Sequence, residues 1–303
     1  MVNRLLSQEI KIIKKGNDYY PRLLKEISDA PEKIFVLGNF QNKQFADNLK
    51  ISIVGTRRAT SEGKALAKEL AKKLSEKGII IVSGLAMGID TAAHQGTVEA
   101  NGRTIGVLAN GLDSIYPAQN ENLAEKILES GGAIISEYPP GTPALPHQFL
   151  ERNRIVSGLC DATIIIEAPD RSGSLVTARL AAEQGREVLV FPGPLHHPNY
   201  KGSHKLIRDG ARLVASIGDV FEDLNLNTQE SKKENIKRQE LPLTNFETDE
   251  EKLIFATIKN SNKPLDVDKI TKLTKLEPQK ANQAIAFLII KGIIKETEKG
   301  YAI

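Results

Sequence analysis

Two adjacent arginines, Arg57 and Arg58, follow a glycine at the end of a short apolar run, Ile51-Ser-Ile-Val-Gly-Thr-Arg-Arg58. A strand that breaks into a glycine turn below a helix N-terminus aims backbone N–H groups at one spot, and that spot suits phosphate. The pattern returns in Ile79-Ile-Ile-Val-Ser-Gly-Leu-Ala-Met-Gly-Ile-Asp90, where Ser83, Gly84, Ala86 and Gly88 are small enough for a ligand to approach the backbone. Two further stretches carry compatible chemistry. Arg152, Asn153 and Arg154 alternate in Glu151-Arg-Asn-Arg154, and Ser172-Gly173-Ser174 can open a helix with two hydroxyls. Residues 78–200 hold one lysine, Lys126, against six arginines, whose planar forks match phosphate oxygens. A buried sheet region short of solvated lysines gives the same count. The expected track is Gly55, Thr56, Arg57, Arg58, the 83–88 loop, Arg152, Arg154 and Ser172–Ser174, holding the backbone of a single-stranded nucleic acid. With aromatic residues at 5%, extensive base stacking is not expected, and Phe149 is the one aromatic placed near a base. The competing structural reading gives Arg152 and Arg154 internal salt bridges, with Glu137 or Glu167 as partners.

The common nucleotide loops are missing. Gly55-Thr-Arg-Arg-Ala-Thr-Ser-Glu-Gly63 is too long between glycines for a Walker loop, Gly63-Lys64 is followed by Ala65, and no G-x-G-x-x-G fingerprint occurs there. Asp90 reads as the N-cap of a helix over 91–99 and shares a face with His94, more as a satisfied structural pair than as a metal or acid–base site. His196, His197 and His204 lack acidic or cysteine support at metal-ligand spacing. No catalytic residue, metal or cofactor is expected. The single cysteine, Cys160, excludes an intrachain disulfide and reads as a small buried residue.

The 303 residues carry a formal charge of +3, unevenly spread. Residues 1–77 have 16 lysines and arginines against 9 acidic residues, residues 78–200 have 7 against 13, and residues 201–303 have 18 against 16. No block binds nucleic acid by gross charge alone, so binding must rest on local arginines and backbone dipoles. Lys11, Lys14 and Lys15 break any signal-peptide core, and no apolar run reaches membrane-spanning length; the cytoplasm is the expected location.

The elements that must position these residues alternate. Strands are expected over 51–54, 79–82, 104–108, 133–136, 163–166, 188–191 and 212–214. Most are apolar throughout, as in strands covered on both faces. Ala65, Leu66, Leu70, Ala71 and Leu74 form a helical stripe opposite Lys64, Lys68 and Lys72. Such alternation means a doubly wound, mainly parallel α/β sheet that binds ligands beyond its strand carboxyl ends. Residues 1–50 form a lead-in with a turn and short helix near Pro21 and a strand over 33–38 that could pair at a sheet edge. The Rossmann-like domain covers 51–223 and a polar linker 224–246. Residues 247–303 read as helices over 250–259, 267–273 and 278–291 with a two-stranded wing turning at Lys299-Gly300, a winged-helix pattern. Its third helix offers only Gln279, Lys280, Asn282 and Gln283, so protein contact is favoured there over sequence-specific DNA reading.

Taken together the motifs resemble the DprA/Smf family of bacterial DNA-processing proteins. The resemblance runs from about residue 51 to 214. It is carried by Val54-Gly-Thr-Arg57, Ser83–Asp90 with His94, Gly111-Leu-Asp with Tyr116-Pro117 and Asn120, Ser136-Glu137, Phe149 with Arg152-Asn-Arg154, Glu167 with Ser172–Ala178, Pro192-Gly193, Gly202 with Leu206-Ile207, and Gly210-Ala211. It implies an extended Rossmann domain that binds single-stranded DNA, a homodimer joined near 190–215, RecA recombinase as a partner loaded onto DNA during natural transformation, and a C-terminal winged-helix-like domain. By motif match, Arg57, the 83–88 loop and Asn153–Arg154 fall in the family's DNA-contact region. Thr56 stands where serine is commoner, Ala118 where many members have a DNA-holding lysine, and Tyr200-Lys-Gly-Ser-His204 departs from a commoner Ser-x-Gly-x-Asn pattern. Several members carry a helical domain ahead of the first residue of this chain. The alternative is a nucleotide phosphoribohydrolase similar to the LOG group, but the comparable stretch Ser172–Leu180 offers no carboxylate until Glu183.

Overall fold

A computed structural model describes residues 9–40, 48–226, 248–259, 261, 264–290, 293–297 and 300–302. The chain divides into two compact units, 1–226 and 227–303. The first is built on a nine-stranded sheet of β1 (Lys11–Lys14), β2 (Lys33–Gly38), β3 (Lys50–Val54), β4 (Ile80–Ser83), β5 (Thr104–Leu108), β6 (Ala133–Ser136), β7 (Ala162–Ile165), β8 (Glu187–Val190) and β9 (Arg212–Leu213). Their order is β1-β2-β6-β5-β4-β3-β7-β8-β9. From β6 to β9 all neighbours are parallel. The strand over 33–38 is not at the edge: it pairs antiparallel with β6, and β1 lies antiparallel outside it. Only Ile12 and Ile13 are apolar in β1, too short a run to read as a strand.

The helices are α1 (Arg22–Glu26), α2 (Ser61–Glu76), α3 (Ile89–Glu99), α4 (Glu121–Glu129), α5 (Pro146–Gly158), α6 (Gly173–Glu183), α7 (Lys201–Arg208) and α8 (Ile217–Asp223). They cover both faces because the strands are apolar on both. Ile80 and Val82 pack in one cluster with Ile155 and Val156 of α5, while Ile79 and Ile81 pack in another with Leu70 and Leu74 of α2. Helices α2 and α3 pack tightly at Gly96, where a Cβ would sit 2.1 Å from the Lys68 carbonyl oxygen. Thr60 caps α2, its hydroxyl accepting from Gly63 N at 2.9 Å.

One expected helix start is corrected. Helix α3 begins at Ile89 with Gly88 as N-cap, and the Asp90 carboxylate accepts from the loop amide of Gly84 at 3.0 Å. Gly88 has φ +86°, and a Cβ there would meet the Thr56 carbonyl at 2.3 Å, so the turn requires glycine. Helix α5 starts at Pro146, which places Arg152 at mid-helix, facing the sheet.

Strands β3 to β6 step one way from β3 and strands β7 to β9 the other, so the chain reverses between β3 and β7. A crevice opens at such a switch point, outside the strand carboxyl ends.

The second unit contains α9 (Asp249–Lys259), α10 (Val267–Thr274), α11 (Pro278–Ile290) and the antiparallel pair β10 (Lys295–Thr297) and β11 (Gly300–Ala302). Ala281, Ala284, Ile285 and Leu288 of α11 are buried with Ile254, Ile258 and Ile270. Lys291 and the turn residue Lys299 lie outside the described residues, as do residues 227–246 of the expected 224–246 linker. Leu224 and Leu226 pack against the first unit's core.

Candidate nucleic-acid interface

A cleft of about 650 Å³ occupies the switch point. Its floor is the ends of β3 and β4, with Gly55–Arg58, Gly84, Ala86 and Asp90; one wall carries Tyr116, Pro146, Phe149 and Leu150, and the other Asp170–Ser174. Most of the expected track is thus gathered in one place. Gly55 is there because the chain is crowded: a Cβ would lie 2.6 Å from Ile89 Cγ1 and 2.9 Å from the Glu167 carbonyl.

The floor is held by internal partners. Thr56 N donates to the Glu167 carbonyl at 2.8 Å and Ile89 N to the Thr56 carbonyl at 3.3 Å. Thr60 N donates to Glu167 Oε2 at 3.1 Å, and the Thr60 hydroxyl donates to Oε1. The Glu167 carboxylate therefore sits at the N-terminal end of α2, where a helix favours negative charge. In the second loop, Gly84 N is taken by Asp90, Thr91 N by Ala86 O and Ala92 N by Gly88 O. Asn120 Nδ2 donates to Leu85 O at 2.8 Å, and the Ser83 hydroxyl donates to Ile53 O at 2.7 Å. In these two turns the charge offered outward is carried by Arg57 and Arg58, which are exposed and make no ion pair among the described residues.

Arg152 and Arg154 are placed differently from expectation. Arg152 is 4% exposed and lies under the 83–88 loop. Its Nη1 donates to Gly84 O at 2.7 Å and to Val107 O, and a Cβ on Gly84 would lie 2.6 Å from Nη2. Burial pushes its pKa down to about 10, opposed by the Asp90 charge, so it stays protonated. Asp90 is pushed up by burial, with Arg152 and the loop amides opposing. Arg152 is a buried cation that ties a loop to the sheet, not an open phosphate fork. Arg154 bonds Glu137 at 2.6 Å and Asp29 at 3.0 Å, the ion-pair alternative with Glu137, and it does not line the cleft. Asn153 does line it, and Nδ2 donates to Gly173 O at 3.2 Å, joining α5 to the start of α6.

Ser172 caps α6 through Ser174 N at 3.3 Å, and the two hydroxyls lie 2.7 Å apart. Beside them Arg171 is exposed, lines the cleft, and has φ +62°, a left-handed conformation that costs a non-glycine residue about 1 kcal/mol. Opposite, the Arg57 guanidinium carbon is 5.0 Å from the Phe149 ring centroid, and Tyr116 lies 5.4 Å from Phe149 with the rings tilted by 57°. Arg171 and Asn199 were not expected at the site; Tyr116 and Asn120 were singled out only through the resemblance. Ala118 is exposed in the 3₁₀ turn after Tyr116-Pro117.

Asp90 and His94 are not partners of each other. The Thr104 hydroxyl donates to Ile81 O at 2.7 Å, so it accepts from His94 Nδ1–H at 2.7 Å and leaves Nε2 bare and buried. Burial, with Arg152 adding repulsion, holds His94 near pKa 3. His204 Nε2 meets the Gly193 carbonyl at 3.1 Å and His197 Nδ1 accepts from Asn199 N at 3.2 Å. No group of metal-ligating side chains occurs among the described residues, and none of their helices is long and apolar enough to cross a membrane.

The chain is 41% identical over 213 residues to Protein Smf of Escherichia coli, covering 70% of this chain and 56% of that one. It is 43% identical over 217 residues to DNA processing protein DprA of Bacillus subtilis, covering 72% of each. The chain thus spans little more than half of the first relative and under three quarters of the second. The X-ray structure of DNA processing protein A from Streptococcus pneumoniae superposes with TM-score 0.65 at 39% identity, covering 72% of this chain and 75% of that one. DNA processing protein A from Helicobacter pylori, whose structure was described for its single-stranded DNA binding mode, gives TM-score 0.65 at 31% identity, with 75% and 98% covered. The family profile for DNA recombination-mediator protein A matches residues 11–225, so this chain belongs to that family.

Proposed function

We propose that the chain is a DNA-processing protein that binds single-stranded DNA across the strand ends of its Rossmann-like unit, protects incoming strands and helps load RecA recombinase. It works as a homodimer in the cytoplasm, with residues 247–303 acting as a winged-helix unit toward a protein partner. The observation that carries the reading is the cleft at the β3–β7 switch point. It sets two exposed arginines, Arg57 and Arg58, which make no ion pair among the described residues, beside a wall of Tyr116 and Phe149. Charge for phosphates and rings for bases lie side by side in one cleft, which suits sequence-tolerant recognition. The binding mode described for the Helicobacter pylori relative supports the same assignment.

The phosphoribohydrolase alternative is less well supported, because Glu183 does not line the cleft and Asp90 is engaged by Gly84 N. The test is fluorescence anisotropy with oligo-dT and a matched duplex across a salt series, with oligomeric state measured by sedimentation. Arg57→Glu should weaken oligo-dT binding strongly at unchanged thermal stability. Unchanged binding, or release of free base from AMP by the pure protein, would overturn the reading.

A further inference from the structure

The geometry points to Glu167 as a positioning residue for the arginine pair: it locks the Thr56–Thr60 loop to the 198–200 turn and so fixes where Arg57 and Arg58 point. This inference rests on the proposed DNA-binding reading of the cleft. Glu167 lies two residues past β7 and is fully buried. It grips the loop at both ends. Its carbonyl accepts from Thr56 N at 2.8 Å, and its carboxylate accepts from Thr60 N at 3.1 Å and from the Thr60 hydroxyl. Arg57, Arg58 and Ala59 are bracketed between these bonds.

The same carboxylate reaches a second segment. Asn199 Nδ2 donates to Glu167 Oε2 at 2.7 Å, and the Tyr200 hydroxyl donates to Oε1 at 3.2 Å. Asn199 Nδ2 also donates to the Arg58 carbonyl at 3.0 Å, so one amide group links carboxylate and loop. Helix α2 closes over the top: a Cβ on Gly63 would fall 2.2 Å from Oε1.

Glu167 has no ion-pair partner among the described residues. A buried carboxylate without a counter-ion is unfavourable unless its oxygens are saturated with donors. Here the donors come from two segments that the chain separates by more than a hundred residues, and the end of α2 adds its dipole. An apolar residue would fill the space but leave Thr60 N, Asn199 and the loop unfixed. Without the lock, Arg57 and Arg58 stay on a loop that must be ordered at binding, at a cost in affinity.

The test uses the full chain and measures oligo-dT affinity, its salt dependence and the melting temperature for wild type, Arg57→Ala, Glu167→Gln, Asn199→Ala and the pairwise doubles with Arg57→Ala. Glu167→Gln turns an acceptor into an amide donor facing donors; Asn199→Ala cuts the link without burying a new mismatch and serves if the first variant folds poorly. Each should weaken binding about 3- to 10-fold well below its melting temperature. Each should also lower the salt slope and be less than additive with Arg57→Ala. Affinity unchanged in folded Asn199→Ala, or losses fully additive with Arg57→Ala, would overturn the positioning role. If Arg57→Ala itself leaves affinity unchanged, the DNA reading of this loop fails instead, whatever Glu167 does.

Discussion

The guanidinium of Arg57 stacks on Phe149, its central carbon 5.0 Å from the ring centroid, so a residue of the β3 turn is braced by one from α5. The cation is held above a ring and has no ion-pair partner among the described residues to neutralise it. Arg57→Ala should weaken oligo-dT binding about 10-fold and lower the logarithmic salt slope by about 0.7, the value for one phosphate contact on a single strand. Phe149→Ala should weaken it as well, and the double variant should lose less than the sum, with a coupling of about 0.5–1 kcal/mol in a double-mutant cycle by anisotropy.

Arg152 is expected to behave as a structural cation. Arg152→Ala leaves Asp90 buried without its compensating charge and two carbonyls without a donor. Each buried acceptor left unsatisfied costs about 1–3 kcal/mol, and the lost charge beside Asp90 adds to this, about 3–5 kcal/mol in all. Thermal unfolding should shift down by about 6–20 °C. A variant with wild-type melting temperature and lowered DNA affinity would instead make Arg152 a direct ligand.

Arg171 should separate affinity from stability. Its left-handed backbone suits glycine, so Arg171→Gly relieves strain while removing a cation from the cleft lip. Oligo-dT affinity should fall about 3- to 10-fold, and the melting temperature should stay level or rise. A fall in melting temperature with unchanged affinity would contradict this.

His94 gives the fold a pH dependence of defined sign. Its pKa is held near 3, below the unfolded value of about 6.5, so between these values the unfolded chain binds more protons. The stability His94 contributes is complete above about pH 6.5 and is lost as pH falls toward 3, by about 1.4 kcal/mol per unit. Asp90, raised by burial, acts in the opposite sense. Urea unfolding at pH 7.5 and pH 5 should show about 2 kcal/mol more loss for wild type than for His94→Asn, the difference isolating this group.

The strands were legible because most are apolar on both faces and end at small, polar or proline residues: Gly55, Ser83, Ala109, Glu137, Glu167 and Pro192. Ile105, Ile134 and Ile164 lie in the expected strands and are fully buried. The stripe Ala281, Ala284, Ile285 and Leu288 was legible from helical spacing. Arg57 and Arg58 were legible as cations in a turn. The fates of Arg152 and Arg154 were not, since the two differ only in which neighbours the tertiary packing brings. Two residues apart on α5, one points under a loop and the other toward Glu137 and Asp29. Glu167 was named as a possible salt-bridge partner and through the resemblance, and its place between the two segments was illegible for the same reason: its donors, Thr60 and Asn199, are remote in sequence and carry no pattern.

Glu167 and Asp90 also bear on competition inside a cell. Free nucleotides reach millimolar levels there, and an empty Rossmann-type turn would be occupied by them before any strand arrived. In this chain the protein's own groups already take the amides of Thr56, Arg58, Thr60 and Gly84 in the first two turns. On the proposed reading, much of the phosphate binding falls to side chains spread along the cleft rim, each holding one phosphate weakly. A monomer can engage one of these at a time, whereas a polymer engages several on one chain, and the product of small affinities then favours the strand over the pool.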